Sequence, residues 1–292
     1  MTQTQTQTEP TLADALHPVP GVYDDVPEGV YRRWPLMHYS ALKTIDVSME
    51  DYIWQVEHPR PATDAMQFGS AVDLLVHEPD RAEDEIAVAP DVNRRTNAGK
   101  DDLAAFEAEN DGKIILSPVD SARAIAAARA VRSHAEARKI LEQGRPQVCL
   151  VWEDAETQVV CKARIDWLST VLADFKAIRS VDSFQFVRGM LDFGWHIQAA
   201  LYSDAWKTAT GESKPWRWIA VRSCPPHRVV VYEPNAETLQ AGRQAYRRAL
   251  FAYRACSQSK HWRDPQIAIP ISLPSWKLRE EGIDPPESTL GF

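Results

Sequence analysis

The run Cys161-Lys162-Ala163-Arg164-Ile165-Asp166-Trp167-Leu168, followed after a short gap by Ala173-Asp174-Phe175-Lys176, decides the fold. Apolar and polar residues alternate along both halves with period two, which predicts two antiparallel strands joined by a tight turn. Cys161, Ala163, Ile165 and Trp167 are expected on one face of the first strand, with Lys162, Arg164 and Asp166 on the other. On the second strand Ala173, Phe175 and Ala177 face the core, which leaves Asp174 and Lys176 together on the opposite side. The turn sets the register. A two-residue turn at Ser169-Thr170 puts Asp166 across from Ala173. A three-residue turn (Ser169 to Val171) or a bulge pairs Asp166 with Asp174, roughly 5 Å apart at Cβ.

Two carboxylates that close repel unless a cation lies between them. Oxygen ligands suit Mg²⁺ or Mn²⁺, and a lysine two residues on can orient an attacking water or offset developing negative charge. The same pattern also describes an exposed hairpin of mixed charge, and Asp-x-Lys alone does not separate the two.

Helices flank this pair. From Met66 to His77 the positions Phe68, Val72, Leu75 and Val76 have helical spacing, and Pro79 ends the run. Asp73 and His77 lie at i, i+4 on one face of it. An aspartate on a buried helix face needs a partner. Ser183 to Met190 and Trp195 to Ala209 read as two helices divided at Gly194, and Gln198 and Tyr202 share a face of the second. Ser40 and Ser48 are expected to cap two short helices, the first carrying Lys43. Arg94-Arg95-Thr96-Asn97-Ala98-Gly99-Lys100 reads as a basic turn entering a helix, and Asp120 to Leu141 as a single alanine-rich helix. Asn235 caps a long helix with Arg243 and Arg247 one turn apart, suited to a DNA channel or to a solvated face. The Thr-Gln repeats and prolines of residues 1–20 predict a disordered arm, and the prolines near the other end an extended tail over 277–292.

Composition bounds the function. The chain has 292 residues, 44% of them hydrophobic and 25% charged, as ordinary globular proteins do. A formal charge of −8 argues against a protein that coats DNA non-specifically, although it permits a nuclease with cations gathered in one groove. The four cysteines are far apart with no C-x-x-C, which disfavours a zinc ribbon or an iron–sulfur site and favours reduced thiols. No apolar run approaches the ~20 residues of a membrane span, and no signal peptide is evident, so a cytoplasmic protein is expected. Neither a glycine-rich phosphate loop nor a Ser–His–Asp order is present.

Several short pieces occur in one order: Gly21-Val22-Tyr23, Ser40-Ala41-Leu42-Lys43, Phe68-Gly69-Ser70-Ala71-Val72 with Glu78-Pro79, the acidic hairpin, and Gly194-Trp195-His196-Ile197-Gln198-Ala199-Ala200-Leu201-Tyr202. Together they resemble the PD-(D/E)XK nuclease superfamily and, within it, the RecE-type exonucleases (exodeoxyribonuclease VIII and its phage relatives). The resemblance implies an α/β, restriction-endonuclease-like core over residues 21–276, a central mixed sheet flanked by helices. It implies a Mg²⁺-dependent (or Mn²⁺-dependent) exonuclease that digests duplex DNA ends 5′→3′ and leaves 3′ overhangs for a single-strand annealing protein. A closed homo-oligomer, trimeric or tetrameric, is implied as well. Asp166, Asp174 and the carbonyl of Phe175 would hold the metal, Lys176 would position the water, and Gln198 and Tyr202 would stand beside them. Lys43, Arg94, Arg95, Lys100, Lys162 and Arg164 are the expected DNA contacts.

One position departs from this pattern. After Gly-x-Ala-Val the family carries a metal-binding histidine, where this chain has Asp73. Asp73 is expected to replace it as a hard oxygen ligand. His77 one turn on is the less favoured substitute. The rival functions are an endonuclease of restriction or repair type and a catalytically impaired DNA-binding protein on the same fold.

Overall fold

The computed structural model describes residues 17–284 apart from 94 and 269. The first part of the chain gives β1 (Gly21–Tyr23), α1 (Glu28–Arg33), α2 (Tyr39–Ile45), α3 (Met49–Glu57), α4 (Asp64–His77), α5 (Pro79–Glu85) and β2 (Ile86–Val88). Next come α6 (Asn97–Glu109), β3 (Ile114–Leu116), α7 (Pro118–Ser133), α8 (Ala135–Leu141), β4 (Arg145–Glu153), β5 (Val160–Leu168) and β6 (Leu172–Ile178). The remainder is α9 (Ser183–Phe193), α10 (Trp195–Thr210), β7 (Trp216–Arg222), β8 (Val229–Tyr232), α11 (Ala236–Ser259) and α12 (Ser275–Glu280). The described residues through Trp262 form one compact unit, and those from Arg263 form a second that contains α12.

Six strands make one mixed sheet in the order β1-β4-β5-β6-β7-β8. Every neighbouring pair is antiparallel except β6 and β7, which are parallel and joined by α9 and α10. A parallel pair needs such a crossover, and it lays α10 across one face of the sheet. Ile197, Leu201 and Ala205 of α10 pack there on Leu150, Ile165, Leu172 and Trp218, with α2 and α11 behind. The backbone of α10 comes close to α11 at Gly242, where a Cβ would lie 2.1 Å from the His196 carbonyl oxygen. On the other face Val72 and Val76 of α4 and Ala124, Ala127 and Val131 of α7 pack on Trp167, Ala173, Ile219 and Val221. Because both faces are covered, the polar side of the hairpin is largely withdrawn from solvent: Lys162 and Asp174 are buried, and Arg164, Asp166 and Lys176 are half-buried.

The predicted elements recur with shifted edges, and four expectations are corrected. The alternation along β5 does not carry through to Trp167. Cys161, Ala163 and Ile165 enter the core beneath α10, but Trp167 enters the core beneath α4 and α7. The cause is local twist: β4 and β5 pair at Val148–Ile165 and at Pro146–Trp167, and between these Gln147 takes φ 52°. The alanine-rich segment is two helices, divided at His134, whose Nδ1 accepts the Ala137 N–H at 3.3 Å and so caps α8. The N-cap of α2 is His38, without a side-chain cap bond, so Ser40 lies inside the helix; Ser48 does cap α3. The C-terminal tail is not extended throughout, since Ser275–Glu280 is helical with Lys277 bridging Glu280 at 3.0 Å and Glu281 at 2.8 Å. Of the arm expected over residues 1–20, residues 1–16 lie outside the described residues.

Candidate active site

The turn between β5 and β6 has three residues, Ser169 to Val171, closed by the Ser169 N–H donating to the Val171 carbonyl at 2.9 Å. It pairs Leu168 with Leu172 and Trp167 with Ala173, and there the ladder ends. Beyond that point β5 stays on β4 and β6 runs along β7, so the strands part at Asp166 and Asp174. In the gap the Asp166 carboxylate replaces a strand partner: its Oδ2 accepts the Phe175 N–H at 3.0 Å. The parting of two strands thus brings two carboxylates inside the fold.

Asp174 is 2% exposed. Its Oδ1 accepts the Gln198 Nε2–H at 2.7 Å, and its Oδ2 lies 2.5 Å from Lys176 Nζ. Lys176 Nζ also donates to Gln198 Oε1 at 3.3 Å, so the one amide holds both the acid and the ammonium. On the α4 side, Asp73 Oδ2 accepts the Gln147 Nε2–H at 2.7 Å. Asp73 Oδ1 is 3.0 Å from His77 Nδ1 but off hydrogen-bond alignment, which leaves that oxygen and both ring nitrogens buried without a hydrogen-bond partner. The His77 ring stacks on Trp167 at 5.0 Å and meets the Phe175 ring edge-on at 4.3 Å.

Electrostatics ties these groups together. Burial pushes the Asp166 carboxyl well above the usual carboxylate range, and the charges of Asp174 and Asp73 push it further. Burial likewise raises Asp174, against the opposing pull of Lys176 and Gln198. Tyr202 is raised by burial and then by Asp166 and Asp174, with a hydrogen bond from the Arg164 backbone partly offsetting this. Asp73, Asp166, Asp174, Lys176, Gln198 and Tyr202 are therefore one constellation.

Two clefts meet at this point. One of about 330 Å³ is lined by Tyr31, Asp73, Gln147, Arg164 and Asp166 among others, and one of about 210 Å³ by Gly69, Ser70, Asp73, Asp166 and Phe175 among others. The donor chemistry fits a hard divalent cation: the carboxylates of Asp166 and Asp174 are raised by burial, and one oxygen of the neighbouring Asp73 is buried without a hydrogen bond. Among the described residues no three His, Cys, Asp or Glu side chains are already drawn together as a ligand cluster. Lys176 stands against Asp174 as the neutralising cation instead.

The expected DNA contacts fall in different places. Lys162 points inward, 4% exposed, and donates to the carbonyls of Tyr31 at 2.8 Å, Arg32 at 3.4 Å and Trp34 at 2.7 Å. Arg164 lines the larger cleft, with its guanidinium 5.8 Å from the Tyr31 ring centre. Lys43 packs its stem against Gly194, and Arg95 and Lys100 are exposed outside both clefts. Arg94 lies outside the described residues. Arg243 and Arg247 are taken up by carboxylates, Asp204 at 2.6 Å and Asp154 at 2.5 Å. Sequence reasoning missed Gln147 and Tyr31. Neither carries a local signal, because Gln147 reaches Asp73 only through its left-handed backbone and Tyr31 only through the docking of α1 on Lys162.

A family model described as a PDDEXK-like domain of unknown function matches residues 39–266, a span that holds every residue of this constellation. The chain belongs to this family. No curated protein matches it. Among solved structures, the PDDEXK-like chain is similar to a protein from Eubacterium rectale described as a "putative exonuclease". The two share 17% identity at a TM-score of 0.53, over 81% of this chain and 91% of the other, which is likeness of fold. Among the described residues no helix is long and apolar enough to cross a membrane.

Proposed function

We propose that this PDDEXK-like protein is a divalent-metal-dependent deoxyribonuclease that hydrolyses DNA phosphodiesters from duplex ends. The observation that carries the reading is the parted hairpin, which buries Asp166 and Asp174 in each other's field with Lys176 beside them. Asp166, Asp174, the Phe175 carbonyl and Asp73 would hold Mg²⁺ or Mn²⁺. Bound there, such an ion would supply Lewis acidity toward the scissile phosphate and its attacking water. Lys176, released from Asp174, orients the attacking water and offsets the charge that builds on the phosphoryl oxygens. Gln198 keeps the Lys176 ammonium and the Asp174 carboxylate at fixed separation. Tyr202, its hydroxyl kept protonated by burial, is a neutral donor beside them. The RecE-type resemblance favours 5′→3′ digestion that leaves 3′ overhangs for an annealing partner.

End-labelled linear duplex and a covalently closed circle, each with Mg²⁺, Mn²⁺ or EDTA, test this. Metal-dependent loss of the linear substrate with the circle intact is expected, and nicking of the circle would favour an endonuclease. Asp174→Ala and Lys176→Ala should each abolish cleavage, while Asp174→Ala retains duplex-end binding. Near-wild-type turnover by folded Asp174→Ala protein would remove the site assignment.

A further inference from the structure

A line of rings leads from the catalytic lysine to the surface. Lys176 Nζ lies 5.5 Å from the Trp195 ring centre, and Phe193 stacks on Trp195 at 5.6 Å with 18° between the planes. Trp195 is buried, 7% exposed, and wedged over Gly189, where a Cβ would meet its ring at 3.0 Å. Phe193 ends the line and is 55% exposed. The ring of Phe193 has Trp195 as its stacking partner, and two features fix the backbone that carries it. Its own carbonyl accepts the Tyr39 hydroxyl, and Gly194, at φ 69°, turns the chain at once into α10.

A cation stands at the same corner. The stem of Lys43 packs on Gly194 so closely that a Cβ there would lie 3.0 Å from its Cγ and Cδ. Tyr39 and Lys43 are one turn apart on α2, and the Asp174 charge acts on Tyr39, which places this corner next to the acidic centre. An exposed ring beside a lysine, stacked through a second ring onto the catalytic ammonium, has the chemistry of a nucleotide subsite. The ring offers a face to any base, and the lysine offers charge to its phosphate.

We propose that Phe193 and Lys43 form a subsite for the terminal nucleotide of a DNA end, with the unpaired base stacked on Phe193 and its phosphate on Lys43. The inference rests on the nuclease reading and narrows its substrate to a frayed end. Phe193 is then a positioning residue: it holds the strand in register with Lys176 without touching the reacting phosphate. A terminal base still paired to its partner cannot leave the duplex to follow the strand inward, so the subsite takes an unpaired one.

The test is stacking of a duplex carrying 2-aminopurine at its terminal position, titrated in EDTA so that no cleavage occurs. Wild type is expected to quench the probe, and Phe193→Ala to weaken quenching and binding by about tenfold or more. Phe193→Tyr should restore both, whereas Phe193→Leu, which keeps apolar packing on Trp195 but no stacking face, should behave as alanine does. In parallel, with Mg²⁺, Phe193→Ala should be slowed on blunt duplex and much less on an end frayed by mismatches. Circular dichroism confirms folding of each variant. Equal quenching by wild type, alanine and leucine variants overturns the subsite, as does a leucine variant that matches wild type. A change in molar mass of Phe193→Ala without DNA would assign the ring to a contact between copies and also overturn it. Absence of cleavage by wild type, with quenching intact, would overturn the nuclease reading alone.

Discussion

Asp73 is the residue on which this site differs from the pattern it resembles. Its Oδ2 is oriented by Gln147, and its Oδ1 is buried with no hydrogen bond. An acid in that state is costly unless a cation approaches it. His77, by contrast, is locked between Trp167 and Phe175, with its side chain 1% exposed. Asp73→Ala should therefore cut Mg²⁺-supported cleavage about 100-fold or more, with His77→Ala costing far less. Rates of end-labelled duplex digestion by the two variants decide it, and the reverse order would transfer the ligand role to His77. Asp166 adds a stability prediction. Its folded carboxyl titrates well above the ordinary value, so between the two the native state binds a proton that the unfolded chain has released. Stability from this group therefore falls as pH rises from the ordinary carboxylate value through the raised one. Asp166→Asn should raise the Tm of metal-free protein at pH 7, with the gain vanishing near pH 4, the region of the ordinary carboxylate value. A scan of Tm against pH in EDTA for both proteins would show this, and equal Tm values at pH 7 would contradict it.

At the scale of elements, the period-two alternation made the hairpin legible, and the two turn lengths left open each implied a different partner for Asp166. Helical spacing likewise revealed α4 and with it Asp73, whereas the resemblance singled out Gln198 and Tyr202 on α10. What the sequence hid depends on backbone conformation that no side chain advertises. The left-handed Gln147 sends Trp167 to the far core, and the docking of α1 turns Lys162 from an outward charge into a clamp. Lys162 ties β5 to carbonyls at the C-terminal end of α1; those of Tyr31 and Trp34 also accept backbone N–H groups, from Trp34 at 3.3 Å and Leu36 at 2.8 Å. Burial lowers its pKa to about 8, so at neutral pH it remains an ammonium with its donors filled. Lys162→Met keeps the apolar stem but removes the charge-assisted bonds to these carbonyls, and should destabilise the protein by about 1–3 kcal/mol. Urea denaturation reads that loss directly. An unchanged midpoint would mean that water reaches the carbonyls without the lysine.

For the molecule as a whole, charge is the constraint. On the proposed reading a chain of net charge −8 would meet a duplex carrying one negative charge per about 1.7 Å, and many of its cations are already spent on carboxylates. Arg243, Arg247 and Arg248 pair with Asp204, Asp154 and Asp46. Binding a DNA end then requires the remaining cations to be gathered, and several copies around one channel gather them without changing the overall sign. The surface offers a means of assembly: Phe184, Val187 and Leu191 are exposed at i, i+3 and i+7 on α9, a stripe of apolar rings and branched chains that nothing in the described chain covers. Helical spacing puts Phe193 on the other side of α9, so assembly and base stacking use different faces. A trimer or tetramer is expected, three or four times the 32.9 kDa of one chain, by light scattering at micromolar concentration. Leu191→Glu, which places a charge at one end of the stripe, should give folded monomer and lose duplex-end binding with it. A wild-type mass of one chain, with and without DNA, would leave the gathering of cations to a single copy and end the ring proposal.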